Sequence, residues 1–231
     1  MSPERPAEAV ERRPLLVVAI VALIPFALLA IWARFASPAP WEPGLMTALA
    51  SQPGIVGDMS SAINLVGNLP VWAVVVAVTA VAMGALRGVR AAFLVALSFA
   101  SDLAAFVVKL LVERDRPETA AVEQFFGFDS FSYPSGHTVR ATALVAVVIW
   151  LLAPQKWRLP LAVIGGVIAG AVMGYARVSL GVHWPTDTIG GTLLGLGWFA
   201  ITTALLLSGP RLYPTNARRA SARSADSPDS S

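Results

Sequence analysis

The sequence predicts an all-α fold: a polytopic membrane protein built as a bundle of six transmembrane helices, with both termini in the cytoplasm. Hydrophobic residues make up 56% of the 231 residues and charged residues only 13%. Soluble domains carry about 25% charged residues, so the composition favours a membrane protein. Six apolar stretches, separated by polar segments, supply the candidate helices.

A helix needs roughly 20 mostly apolar residues to cross a bilayer, and six stretches of the sequence qualify as candidate spans. The stretches are Leu15–Trp32, Leu69–Leu86, Ala91–Leu111, Thr138–Ala153, Leu159–Tyr175 and Thr188–Leu207, of which the fourth is the shortest. The first also resembles a secretory signal, but its apolar run exceeds the usual core of about 7–15 residues and Arg34 stands where cleavage would occur. We interpret it as a retained helix.

The basic residues predict the orientation. Eleven of the seventeen Lys and Arg residues fall on one side of the six spans and six on the other. The richer side belongs in the cytoplasm, which gives a cytoplasmic tail at 1–13, a membrane domain at 14–208 and a disordered cytoplasmic tail at 209–231. The expected location is the plasma or inner membrane, and the poorer side faces the periplasm or the cell exterior.

Composition also limits the classes of function. The formal net charge of +3 is too small and too scattered for a nucleic-acid-binding protein. The absence of cysteine excludes disulfides and thiolate metal sites, and two histidines alone make a zinc site unfavourable. We therefore expect no metal and no cofactor, and the sequence does not specify an oligomeric state. The outer connection 33–68 is rich in Pro, Gly, Ala and Ser, and its portion 59–69 predicts a short amphipathic helix on the membrane surface.

The first polar motif is KLLVERDRP, residues 109–117, in which Lys109, Arg116 and Pro117 form the pattern K-x6-RP. Pro117 is expected to stop the third helix. Taken alone, the pattern also fits a lysine and an arginine that reach from a helix end to the lipid headgroups.

The second motif is YPSGH, residues 133–137. Pro134 and Gly136 predict a tight turn, from which the amides of Ser135, Gly136 and His137 point off the start of the fourth helix. Free N–H groups at a helix start bind phosphate readily. An ordinary serine cap is the alternative interpretation of this motif.

The third motif is ARVSLGVHWPTD, residues 176–187, with Arg177, His183 and Asp187 in the pattern R-x5-H-x3-D. Pro185 suits the first turn of the sixth helix. Asp187 can accept a hydrogen bond from one ring nitrogen of His183, which leaves the other nitrogen a lone pair. A structural His–Asp pair is the alternative for this motif alone.

Together the motifs favour a single catalytic site. All three fall on the outer side of the membrane at helix ends, they use both histidines of the chain, and the basic residues among them require an anionic partner. In this order on a six-helix core, they resemble the type 2 phosphatidic acid phosphatase superfamily over residues of about 60–208. That superfamily includes bacterial lipid phosphatases, undecaprenyl-diphosphate phosphatases, glucose-6-phosphatase and the soluble vanadium haloperoxidases. The chain departs from the family pattern at Ala176, where a serine is usual, and keeps the usual aromatic residue as Tyr133.

The resemblance implies a metal-independent hydrolase of a phosphate monoester or a diphosphate. In that mechanism His183 is the nucleophile and forms a phosphohistidine, Asp187 orients it, and His137 protonates the leaving group and later activates water. The implied phosphate-binding residues are Lys109, Arg116, Ser135, Gly136 and Arg177.

A site opening at the outer membrane surface favours a lipid-tailed substrate. Undecaprenyl diphosphate is the first expectation, and phosphatidic acid, phosphatidylglycerol phosphate or diacylglycerol pyrophosphate is the alternative. A transporter of an anionic solute or lipid is the rival class, but it would show broken helices and charges near the bilayer midplane on several spans.

Two charged residues lie outside the family signature. Arg140, three residues after His137 on the same helix face, is expected to form a salt bridge with Asp129 or Glu123, or to reach the headgroups, or to contact the second phosphate of a diphosphate. Asp102 is expected to pair locally with Ser98 or Ser101.

Overall fold

The structure is a computed structural model that describes residues 6–36, 38–50, 54–118 and 131–207. These residues form helices joined by short connections, with no β-strand among them. The helices are α1 (Pro6–Phe35), α2 (Glu42–Leu49), α3 (Ile55–Gly67), α4 (Leu69–Arg87), α5 (Val89–Phe99), α6 (Ser101–Val112), α7 (Gly136–Leu152), α8 (Arg158–Ser179) and α9 (Pro185–Leu207). The all-α prediction is confirmed, whereas the C-terminal tail expected to be disordered lies outside the described residues.

Five helical segments of the described chain are long and apolar enough to cross a membrane. They are Arg12–Phe35, Leu69–Arg87, Val89–Val112, Arg158–Ser179 and Pro185–Leu207. The third comprises α5 and α6, which meet at Ala100. The remaining predicted stretch becomes α7, whose 17 residues fall short of the roughly 20 that a span needs. Six spans and the sides on which the termini lie therefore remain predictions.

The short helix α7 occupies the centre of the fold, where it packs against α5, α6, α8 and α9. Most of its residues are buried. A helix surrounded by other helices has little contact with lipid, so its length is set by its neighbours rather than by the bilayer.

Glycines allow the three C-terminal helices to approach closely. A Cβ atom at Gly195 of α9 would lie 2.7 Å from the carbonyl oxygen of Val139, and one at Gly170 of α8 would lie 2.4 Å from the hydroxyl of Thr192. Small residues spaced four apart are a common way for membrane helices to bring their backbones together. The glycines thus fix the ends of α7, α8 and α9 relative to one another, and the second and third motifs lie at those ends.

The connection between α1 and α4 contains two helices rather than one. The predicted amphipathic segment is present as α3, which begins earlier than expected, and α2 precedes it. The helix α3 packs against α8, α4 and α7, and α2 packs against α8 and α9. The outer connection therefore covers the end of the bundle at which α7 begins.

The local pairing predicted for Asp102 is wrong. Ser98 and Ser101 instead donate hydrogen bonds to backbone carbonyl oxygens three residues earlier, each at 2.6 Å. Helical serines satisfy their hydroxyls in this way without a side-chain partner. Asp102 lies against α7 instead, where its Oδ1 atom is 2.7 Å from Nη2 of Arg140.

Candidate active site

The three sequence motifs meet at one end of the bundle, as predicted. This end is formed by the C-terminal ends of α6 and α8 and the N-terminal ends of α7 and α9. The backbone connects the motifs directly, since the amide of Ser135 donates to the carbonyl oxygen of Asp187 at 3.0 Å. The loop before α7 is anchored by Tyr133, which is fully buried, stacks on Phe26 and donates its hydroxyl to the Phe26 carbonyl oxygen at 3.2 Å.

His183 and Asp187 form the pair predicted from their spacing. The Nδ1 atom of His183 lies 3.2 Å from Oδ2 of Asp187. The same carboxylate oxygen accepts the backbone N–H of Trp184 at 2.9 Å and the hydroxyl of Ser132. Because Ser132 also lies 3.3 Å from Nδ1 of His183, the imidazole ring is held from two directions.

The other ring nitrogen of His183 faces a guanidinium group. Nη1 of Arg116 is 3.5 Å from Nε2 of His183 and donates to the Val182 carbonyl oxygen at 2.9 Å. Burial lowers the pKa of His183 well below its usual range, and the positive charges of Arg116, Arg177 and Lys109 lower it further. The ring is therefore neutral at pH 7, with Nδ1–H directed at Asp187 and a lone pair on Nε2.

Two other cations predicted to bind phosphate line the same region. Lys109 is buried, and its Nζ atom donates to the carbonyl oxygen of Phe131 at 2.6 Å. Arg177 is buried near the end of α8 and donates to the amide oxygen of Asn64. The charges of Lys109, Arg116 and Arg177 thus all act on the His183 ring, and their role in binding phosphate remains a prediction.

His137 lies in the first turn of α7. Its Nε2 atom lies 3.1 Å from the amide oxygen of Asn68. An amide oxygen only accepts hydrogen bonds, so this contact places a proton on Nε2. When Nδ1 also carries a proton, the imidazolium can donate from Nε2 and become neutral.

Ser135 and Gly136 lie at the start of α7, but Ser135 makes different contacts from those expected. Its amide is occupied by the Asp187 carbonyl, and its hydroxyl accepts a hydrogen bond from Thr138 at 3.1 Å. Ser135 is in the N-cap position without making a side-chain cap, so the interpretation as an ordinary serine cap is wrong. Ala176, in place of the usual serine, is fully buried in α8.

Sequence reasoning missed a buried charged network behind Asp187. Nη1 of Arg114 lies 2.5 Å from Oδ1 of Asp187, and Nη2 of Arg114 lies 2.7 Å from Oε2 of Glu42. Glu42 also accepts from the backbone and the hydroxyl of Thr186, at 3.1 and 2.6 Å, and from the backbone N–H of Ala39 at 2.8 Å. Side-chain exposure is 2% for Arg114 and 0% for both carboxylates.

Only part of this network left a signal in the sequence. Arg114 lies inside the first motif and belongs to the outer basic cluster, but its charge alone does not separate a structural arginine from a phosphate ligand. Glu42 lies in the outer connection, 145 positions before Asp187, and no local pattern marks it.

Arg140 is placed differently from the expectation. Its guanidinium binds Asp102 at 2.7 Å and donates to the carbonyl oxygens of Gly67 at 2.7 Å and Gly136 at 3.2 Å. The expected partners Asp129 and Glu123 lie outside the described residues. These contacts join α3, α6 and α7 and favour a structural role for Arg140 over a contact with a second phosphate.

Within the part of the chain that the structure describes, no group of three or more Asp, Glu or His side chains is placed to hold a metal ion. The positive charge at the site comes from lysine and arginine side chains. The expectation of a metal-independent site remains a prediction.

The helical fold and the site are those expected of a membrane phosphatase, and the comparison with family models agrees with this class. The family model described as the PAP2 superfamily matches residues 87–208, more than half of the chain. The chain therefore belongs to the PAP2 superfamily.

Two individual proteins of this family are similar to part of the chain. The chain is 39% identical over 95 residues to phosphatidylglycerophosphatase B of Bacillus subtilis, covering 39% of this chain and 45% of that protein. It is 40% identical over 81 residues to undecaprenyl-diphosphatase of Sulfolobus acidocaldarius, covering 35% of this chain and 36% of that protein. The chain thus matches less than half of the length of these curated relatives.

One solved structure resembles nearly the whole fold. It is the crystal structure of a transmembrane PAP2-type phosphatidylglycerolphosphate phosphatase from Bacillus subtilis, with a TM-score of 0.70 and 25% sequence identity. The likeness covers 84% of this chain and 98% of that chain.

The buried network predicts a large effect of Glu42→Ala on stability. Removing the carboxylate leaves the Arg114 charge buried with one partner fewer and leaves the Thr186 donors unsatisfied. Breaking a buried ion pair in this way costs about 3–5 kcal/mol. Thermal unfolding of the purified protein in detergent should show a lowered Tm.

Arg34→Ala is the matched control. It removes the ion pair between Arg34 and Glu113, whose side chains are 44% and 48% exposed, and such pairs contribute at most about 1 kcal/mol. Equal Tm values for the two variants would contradict the importance of the buried network.

Proposed function

We propose that the protein is an integral membrane phosphatase that removes phosphate from a lipid-tailed substrate through a phosphohistidine on His183. The observation that carries this proposal is the state of the His183 ring. Its Nδ1 atom is held by Asp187, and its Nε2 lone pair faces Arg116. A neutral imidazole with one nitrogen fixed and the other directed at a cationic pocket is arranged to attack phosphorus.

In the first half of the reaction, Nε2 of His183 forms a bond to phosphorus while the bond from phosphorus to the lipid oxygen breaks. His137, as the imidazolium with a proton on each ring nitrogen, gives its Nε2 proton to the departing oxygen and becomes neutral, and the oxygen leaves as an alcohol or as a lipid phosphate. The imidazole of His183 then carries a positive charge, which Asp187 stabilises at Nδ1.

In the second half, water attacks the phosphohistidine. His137, now lacking its proton, accepts one from the attacking water, and the P–N bond breaks to release inorganic phosphate and neutral His183. Both histidines return to their starting protonation states, so no further reactant is needed.

Charge stabilisation of the transition state is assigned to Lys109, Arg116 and Arg177, with the start of α7 at Gly136 completing the phosphate site. The Ser135 hydroxyl accepts from Thr138 and can still donate its own proton to a phosphate oxygen. The amide oxygens of Asn64 and Asn68 now accept from Arg177 and His137. An oxygen that takes the Nε2 proton of His137 has to replace the Asn68 amide oxygen, whereas Arg177 has further N–H groups for a phosphate.

The network of Glu42 and Arg114 is assigned a positioning role. Arg114 binds the oxygen of Asp187 that does not contact His183, and Glu42 holds Arg114 in place. The network therefore holds the Asp187 carboxylate in place, and Asp187 in turn orients His183. Glu42 and Arg114 themselves do not contact the substrate in this proposal.

For the substrate, we now place phosphatidylglycerol phosphate first. The solved neighbour that aligns over most of this chain is a phosphatase for that lipid, and so is the Bacillus subtilis relative. Undecaprenyl diphosphate stays the second candidate, supported by the Sulfolobus acidocaldarius relative. The contacts of Arg140 with Asp102 and two carbonyl oxygens weaken the argument for a diphosphate preference. The transporter alternative is not favoured, because the related proteins are phosphatases.

The phosphohistidine can be observed directly. In rapid-quench labelling with a radioactive lipid phosphate, we expect His183→Ala to form no phosphoenzyme and to lose turnover. His137→Ala should lose nearly as much turnover but still accumulate phosphoenzyme from a substrate with a good leaving group. Phosphate attached to any residue other than His183 would sink the mechanism.

A panel of purified lipids tests the substrate. We expect the highest kcat/KM for phosphatidylglycerol phosphate, because a solved lipid phosphatase that aligns with most of this chain acts on it. Phosphate release is measured for phosphatidylglycerol phosphate, phosphatidic acid, diacylglycerol pyrophosphate and undecaprenyl diphosphate at equal surface concentration. A higher value for undecaprenyl diphosphate would reverse the order of the two candidates and leave the phosphohistidine mechanism in place.

Labelling of introduced cysteines tests the proposal that the site faces the cell exterior or the periplasm. The native chain has no cysteine, so the background is clean. A cysteine at Val182, beside the nucleophile, should react with an impermeant thiol reagent in intact cells. One at Gln155, between α7 and α8, should react only after lysis. Labelling of Gln155→Cys alone in intact cells would invert the orientation.

A further inference from the structure

A cavity of about 170 Å³ lies at the other end of the bundle, remote from the phosphatase site. It is bounded by the start of α5, the end of α7, the start of α8 and the end of α9, whereas the catalytic groups lie at the opposite ends of α7, α8 and α9. Its walls combine leucine side chains with three arginines, Arg87, Arg90 and Arg158. In the described part of the chain, no carboxylate lines it.

The polar atoms of this cavity are incompletely satisfied within the described residues. Nη1 of Arg90 is buried without a hydrogen-bond partner, and so is the hydroxyl of Thr203, a residue only 2% exposed. Both residues line the cavity, and a buried donor without an acceptor is costly. The guanidinium of Arg158 lies over the Trp150 ring at 5.0 Å, which holds its charge beside the cavity.

Arginines at helix ends often serve only to orient a membrane protein. Such side chains extend into water or among headgroups. Arg87 is exposed and fits that role, but Arg90 is partly buried, with one terminal nitrogen fully enclosed. Two partly buried arginines, Arg90 and Arg158, beside one cavity between helices require a different explanation.

We propose that this cavity binds the phosphate group of an anionic phospholipid at the membrane surface opposite the active site. Basic pockets between membrane helices are the recognised form of such headgroup sites. A phosphate oxygen would accept from Arg90 and Thr203, and three cations would balance its charge. Leu86, Val89 and Leu152, which lie at the same end of the bundle, are exposed apolar side chains that can contact the acyl chains.

Free inorganic phosphate has the same binding chemistry, so the test must separate the two sources. The purified full-length protein, in detergent without lipid, is titrated with short-chain phosphatidylglycerol, with phosphatidylcholine or with inorganic phosphate, and Tm is recorded. The test variants are Arg90→Gln and Thr203→Val. Arg13→Gln is the matched control, because Arg13 is an exposed arginine of α1 that does not line the cavity.

Phosphatidylglycerol should raise the Tm of the wild type and of Arg13→Gln at the same concentrations, and phosphatidylcholine should have little effect. Arg90→Gln should require about ten- to a hundredfold more phosphatidylglycerol, the effect of losing one charge-assisted hydrogen bond. Thr203→Val, which keeps the side-chain volume, should require severalfold more phosphatidylglycerol. If Arg90→Gln does not fold, Thr203→Val alone tests the proposed site.

A stabilisation by inorganic phosphate alone that depends on Arg90 and Thr203 would support the site but assign it to free phosphate. Equal responses of Arg90→Gln, Thr203→Val and Arg13→Gln to every ligand would overturn the proposal. Because the measurement is thermal stability and the catalytic site is unchanged in all the variants, the result does not depend on the proposed phosphatase activity.

Discussion

The arrangement of this site depends on a buried network of charges in which Asp187 is shared between His183 and Arg114. One carboxylate oxygen holds Nδ1 of His183, the proposed nucleophile, and the other holds the guanidinium. An aspartate buried with only the neutral ring as partner would be strongly destabilised, because a buried charge requires compensation. Arg114 supplies that compensation for Asp187, and Glu42 together with the two tryptophans near Arg114, Trp32 and Trp184, surrounds the guanidinium in turn.

The network explains why the outer connection belongs to the site although it contains no catalytic group. Glu42 is the N-terminal residue of α2 and accepts hydrogen bonds from Thr186 at the start of α9. The same contacts that neutralise Arg114 therefore fix α2 on α9. Loss of Glu42 would affect both the position of α2 and the charge balance around Arg114 and Asp187. A single substitution at Glu42 is therefore expected to lower the stability strongly.

The sequence was sufficient to predict the elements that follow from local patterns. Apolar length predicted α1, α4, α8 and α9, and motif spacing predicted the His183–Asp187 contact, since three intervening residues across the first turn of α9 allow it. Contacts between distant segments were not predictable in this way. Glu42 meets Arg114 and Thr186 only because α2 folds over the bundle, and Asp102 meets Arg140 rather than Ser98 because α6 packs on α7. Such pairings depend on tertiary structure, which a single sequence does not encode in any periodicity.

The helix α3 connects the predicted surface segment with the chemistry of the site. Its polar side carries Asn64, and Asn68 follows directly after it, while Ile55, Met59 and Leu65 are exposed apolar residues. The two amides accept from Arg177 and His137, groups assigned to phosphate binding and to proton transfer. An amide oxygen is a weaker acceptor than a charged phosphate oxygen, since hydrogen bonds to ionised groups are roughly twice as strong as neutral ones. In the proposed mechanism a phosphate oxygen therefore replaces the Asn68 amide at His137, and a lipid tail that leaves the site beside α3 would meet the apolar side chains of the same helix.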